Sequence, residues 1–92
     1  MGLFSKKKKI DVNEVFKEKY KYVNKMSQQA HSEIDYVIKE SLWKNVVEGY
    51  QELIALIDQG ADFDKSHFVS LLKNANKELE TIHKINREDY ES

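Results

Sequence analysis

Three histidines are the residues of this chain best suited to chemistry, and their spacing limits what they could do. His67 and His83 lie sixteen positions apart. At ~100° per helical residue they point about 160° apart, so they cannot share a metal ion within one protomer. His31 and Asp35 are one helical turn apart and could both touch an ion. Two ligands fall short of the three or four that a zinc site requires. The pair reads instead as a surface histidine beside a helical carboxylate. The acid pairs Glu78/Glu80 and Glu88/Asp89 sit in polar helical surroundings that would leave them solvated, with nothing to tune a general acid or base. The chain has no Cys, no Gly-rich phosphate loop and no His-Glu-x-x-His pattern. The expectation is a protein without catalytic residues, metal or cofactor.

Binding chemistry has two candidates. The segment Lys17-Glu18-Lys19-Tyr20-Lys21-Tyr22 interleaves lysines with two tyrosines that could stack on nucleic-acid bases or meet a protein partner. Arg87 is the sole arginine, and bidentate base readout favours arginine. Nucleic acid is therefore not the expected partner, and Lys17, Lys21 and Lys25 form one solvated helical face. The second candidate is the head, where Leu3 and Phe4 precede Lys6, Lys7, Lys8 and Lys9. Two apolar side chains and four lysines suit weak, salt-sensitive contact with an anionic membrane surface. The lysines follow a two-residue apolar pair rather than preceding a longer apolar run, so this is no signal peptide. Lys6 also stands where a myristoylation pattern needs Ser or Thr. The expected location is cytoplasmic, at the inner membrane face if the head engages lipid.

Charge is divided along the chain. Residues 1–25 carry eight Lys against three acids, while residues 26–92 carry seven Lys and Arg against thirteen acids. With 92 residues, no Pro and 34% charged residues, the chain is long enough for one small, highly solvated domain. Nothing approaches the ~18 consecutive apolar residues of a membrane span.

The elements follow from apolar periodicity. Val12, Val15, Phe16, Val23, Met26, Ala30, Ile34, Val37 and Ile38 keep one helical face throughout, predicting a first helix over about 11–40 capped by Asp11 or Asn13. The alternative is a break at 27–32, where Ser32-Glu33-Ile34-Asp35 resembles a capping box. A second stripe runs from Leu42 and Trp43 to Ile57, in a phase roughly opposite the first. Either the chain turns between Lys39 and Leu42, with Ser41 as N-cap, or one long helix presents two apolar faces and needs a partner. Asp58-Gln59-Gly60 ends the second helix near 59, with Gly60 suited to the left-handed position after a helix. Asp64 caps a third helix over about 65–86, stapled by Phe63 and Phe68, and Arg87 to Ser92 fray. The fold class expected is all-α: a three-helix antiparallel bundle with a long first helix plus a 42–86 hairpin, completed by self-association where apolar surface remains.

Two families of small helical proteins invite comparison. Tyr36-Val37-Ile38-Lys39-Glu40 looks like the Tyr-x-x-x-Asp/Glu signal of the WXG-type hairpin proteins but lies mid-chain, and Trp43-Lys44-Asn45 lacks their glycine. In size, Lys-rich start and helical architecture the chain resembles bacteriocin immunity proteins, with no shared residue motif. That likeness is one of architecture alone. The excess of apolar stripe over what one thin bundle can cover, with the absence of chemistry, gives the expectation of a bacterial-type protein-binding module (adaptor, inhibitor or immunity factor) docking a helical face on another protein or on itself. Tyr36 projects opposite the first stripe and is, with Tyr20 and Tyr22, the candidate contact.

Overall fold

The computed structural model describes residues 11–91, with side chains through residue 88. Three helices account for nearly all of it: α1 (Val12–Ser32), α2 (Tyr36–Asp58) and α3 (Lys65–Glu91). The described residues form an all-α antiparallel three-helix bundle.

The first boundary is set by a cap, as expected. Asp11 accepts the Asn13 N–H at 3.0 Å and starts α1. The second boundary departs from the expectation. The first helix does not run to residue 40, and the turn is not at Ser41. α1 stops at Ser32, and residues 36–40 open α2. Nor does Ser32 begin a capping box: its hydroxyl donates back to the Gln28 and Gln29 carbonyls. Asp35 is the N-cap, accepting from Val37 N–H at 2.9 Å and Ile38 N–H at 3.2 Å. The apolar phase persists across this turn because Ile34, Val37 and Ile38 are not core residues at all; each is exposed.

The α2–α3 turn forms as its residues dictate. Gly60 takes a φ of 120°, its N–H donates to the Ile57 carbonyl, and the Ala61 N–H reaches back to Leu56. This pair of bonds is a Schellman closure, which needs a residue tolerant of positive φ. Asp64 then accepts the Ser66 N–H and hydroxyl at the start of α3. The Ser66 hydroxyl, then the His67 N–H, hold the Asp64 carboxyl below its ordinary value. The helix continues five residues past the expected Asn86, to Glu91, so Arg87 and Glu88 are helical.

α2 is the central element. It packs against α1 on one flank and α3 on the other, whereas no described Cα of α1 lies within 8 Å of α3. The outer two meet through rings near the α2–α3 turn. Phe16 stacks on Phe63 at 4.0 Å, and Phe68 meets Phe16 and Tyr20 edge-on at 5.1 and 5.3 Å. Asn13 ties α1 to that turn by accepting the Asp62 N–H. Along the α1–α2 interface the backbones close at Gly49, against the fully buried Val23. A Lys19–Glu52 ion pair bridges the outside of the same interface. The core runs through Met26, Ala30, Trp43, Val46, Leu53, Ala75 and Ile82, with members from all three helices.

Candidate functional site

The surface that departs most from ordinary burial is the tip formed by the α1–α2 turn. Ile34 is 88% exposed, Val37 70%, Ile38 49% and Tyr36 42%. Scattered apolar residues on a surface are normal, but here four exposed ones fall within five positions at one turn.

The backbone beneath this patch is tightly held. The Lys39 ammonium donates to three carbonyls, Ala30 at 2.7 Å, His31 at 3.0 Å and Glu33 at 3.2 Å, closing the C-terminus of α1. A cation at this end also meets the negative pole of the helix dipole. Glu33 accepts the Asp35 N–H at 3.0 Å, and Asp35 in turn caps α2. From the other side, Asn86 on α3 donates to the Tyr36 carbonyl at 2.9 Å and to the Glu40 carboxylate at 2.7 Å. Glu40 also bonds His83 Nδ1 at 2.7 Å. The Asn86 amide, then the His83 ring, hold the Glu40 carboxyl below the usual carboxylate range. Exposed apolar side chains thus stand on a backbone fixed by two caps and two cross-helix anchors.

The Glu40–His83 pair faces an open groove of about 510 Å³ between α2 and α3, with Lys44, Asn76, Leu79 and Glu80. A carboxylate at Nδ1 fixes the ring's orientation, leaving Nε2 as its other nitrogen. Among the described residues no group of three His, Cys, Asp or Glu is arranged to hold a metal. The pair links α2 to α3. A second depression, about 350 Å³, lies between α1 and α3 with Trp43 and Tyr50 among its lining residues. Burial pushes the Tyr50 hydroxyl up, partly offset by a hydrogen bond with Ser27. Trp43 Nε1 is buried there with no acceptor among the described residues.

The expected contact residues are separated rather than gathered. Tyr36 lies at the tip. Tyr20 is not a free contact: its ring packs against Phe16 and Phe68, one turn along the core stripe from Phe16. Tyr22 is 63% exposed, beside Val15, Glu14, Glu18 and Lys19 on the outer side of α1. A joint stacking platform of Tyr20 and Tyr22 is therefore not present. His31 and Asp35 are not one turn apart on a single helix, because α1 ends between them. His31 sets its ring edge-on to Trp43 at 5.0 Å, and Asp35 is occupied as a cap. The head residues Leu3, Phe4 and Lys6 to Lys9 lie outside the described residues.

Sequence reasoning missed the Glu40–His83–Asn86 cluster, whose members are 43 and 46 positions apart. The antiparallel α2–α3 hairpin is the signal that could have found it, since counting back from the Asp58–Lys65 pair sets His83 opposite Glu40. No described helix is long and apolar enough to cross a membrane. The chain matches no family model, no curated protein and no solved structure.

Proposed function

We propose that this chain is a small non-enzymatic protein-binding module whose docking surface is the tip of Ile34, Tyr36, Val37 and Ile38. One observation carries the reading. Ile34 and Val37, the two most exposed large apolar side chains among the described residues, stand on a turn braced by Lys39, Asp35 and Asn86. An apolar patch on a rigid backbone loses little conformational entropy on docking, which raises affinity for a given area. The same side chains contribute little to the core, so packing does not account for their presence. The adaptor, inhibitor or immunity-like roles all fall within this reading.

The test is site-directed photo-crosslinking in cells. A photo-reactive phenylalanine replacing Val37 is expected to trap a protein adduct, while the same group replacing Glu48, on the polar outer face of α2, traps none. Adduct formation at both positions alike, or at neither, would refute docking at the tip. The mass of the adduct tells whether the trapped protein is another chain of this kind or a different one.

A further inference from the structure

With α2 between them, the backbones of α1 and α3 stay apart, and the depression of about 350 Å³ lies in the space they leave. That volume falls within the ~300–1,000 Å³ of small-molecule sites. Ser27 on α1 and Ala75 on α3 line it with small side chains, which leave the space unfilled. From α2, Trp43 and Tyr50 line it seven residues apart, on one face of the helix.

The two polar groups of α2 differ there. The Tyr50 hydroxyl hydrogen-bonds with Ser27. Trp43 is 3% exposed, and its Nε1–H is buried with no acceptor among the described residues. A buried donor left unpaired is costly, so a molecule that brings it an acceptor is favoured. The indole N–H can only donate, so the incoming atom must accept. Charge narrows the class further. No Lys or Arg is among the described residues that line the depression, whereas Glu78 is. An anion would enter without a counter-charge and against that carboxylate. A neutral group that both accepts and donates, as a carboxamide does, answers Trp43 and Glu78 alike. The aromatic and aliphatic walls, Trp43, Tyr50 and Leu71, suit a flat ring.

We propose that this depression binds a small uncharged aromatic carboxamide, its carbonyl oxygen accepting from Trp43 Nε1 and its amide N–H donating to Glu78. The site uses none of the tip's side chains and is independent of the docking reading. Nε1 is itself shielded from solvent, so entry requires rim side chains to move. His31, Asn74 and Glu78 are exposed residues, and rotamer changes of such side chains take picoseconds to nanoseconds.

Trp43 is the sole tryptophan, so its indole N–H gives one cross-peak in a proton–nitrogen correlation spectrum of the full chain. Benzamide should move that peak downfield and saturably, with a dissociation constant on the order of 1 mM for so small a ligand. Benzoate, its anionic counterpart, should bind about tenfold more weakly, and Glu78→Gln should narrow that gap. Asn74→Phe, at an exposed position of the rim, should abolish the shift and leave the thermal melt unchanged. A peak that stays in place up to the solubility limit of benzamide, as when water alone satisfies the N–H, would overturn the proposal. So would a drift that never saturates, or an equal shift in the Asn74→Phe protein. Benzoate bound as tightly as benzamide, or a gap indifferent to Glu78→Gln, would overturn it as well.

Discussion

Replacing Gly49 by alanine should destabilise the bundle even though alanine is the better helix former. A Cβ at position 49 would lie 2.4 Å from Val23 Cγ2 and 3.2 Å from Cγ1. Val23 is fully buried and β-branched, so it has one favoured rotamer on a helix and nowhere to swing. Such overpacking costs about 1–3 kcal/mol. The intrinsic gain from Gly to Ala offsets up to ~1 kcal/mol of it. The net loss should be about 1–2 kcal/mol, a fall in Tm of roughly 5–15 °C for a domain this small. Val23→Ala alone should cost ~2–3 kcal/mol through lost burial and the space left behind. In that background Gly49→Ala should become stabilising by about 1 kcal/mol, because the new methyl occupies the vacated space and the propensity gain is no longer opposed. Urea unfolding of the four proteins, followed by far-ultraviolet circular dichroism, measures the cycle. A neutral or stabilising Gly49→Ala in the Val23 background would refute the close-approach argument, and so would strict additivity of the two substitutions.

Lys39→Met removes the ammonium from three carbonyls at the end of α1 and should cost about 1–2 kcal/mol, read from thermal melts. Glu40 has its folded carboxyl held below the ordinary 4.5, so its contribution is full at neutral pH and fades as pH falls below 4.5 through the folded value. Glu40→Gln should therefore lower stability at neutral pH, by an amount that shrinks as pH falls below 4.5; a loss that stays constant on acidification would contradict the ionic reading. Trp43→Phe should cost less than ~1 kcal/mol in urea unfolding, because it also removes a buried donor that lacks an acceptor among the described residues. A loss of several kcal/mol would mean that the indole N–H has a partner.

The parts of the fold legible in the sequence are those enforced locally. The α2–α3 turn could be read from Gly60, Asp64, Phe63 and Phe68, because a Schellman closure and an N-cap demand particular residue types at fixed offsets. The α1–α2 turn has only Asp35 as its local signal, and Ile34, Val37 and Ile38 overrode it by staying in phase with a buried stripe. Periodicity reports apolar character, not burial, and these three are apolar while exposed. Tyr36 was legible as an off-stripe aromatic. Tyr20 lies four residues from Phe16 and shares its ring cluster, a spacing that the flanking lysines do not alter. Glu40, His83 and Asn86 needed the register of two helices before their meeting could be seen.

The arrangement of α2 between two helices that scarcely touch has a consequence for how the molecule comes apart. Its backbone contacts form a path, α1 to α2 to α3, closed only by the side-chain contacts of Phe16 and Tyr20 with Phe68 at one end. Releasing an end member of a path breaks one interface, whereas releasing any member of a ring breaks two. α1 is such an end member, held along α2 by Val23, Met26 and Ala30 and latched at one extremity by Phe16 and Asn13. Unlatching at the rings lets α1 peel toward the tip while the α2–α3 hairpin stays closed. The amides of α1 should then exchange with solvent through a partial opening of lower free energy than global unfolding, whereas those in the middle of α2 exchange only when the whole chain unfolds. The two ends of the molecule thereby acquire different lifetimes: the ring end is where opening begins, and the braced tip is the last part of α1 to let go.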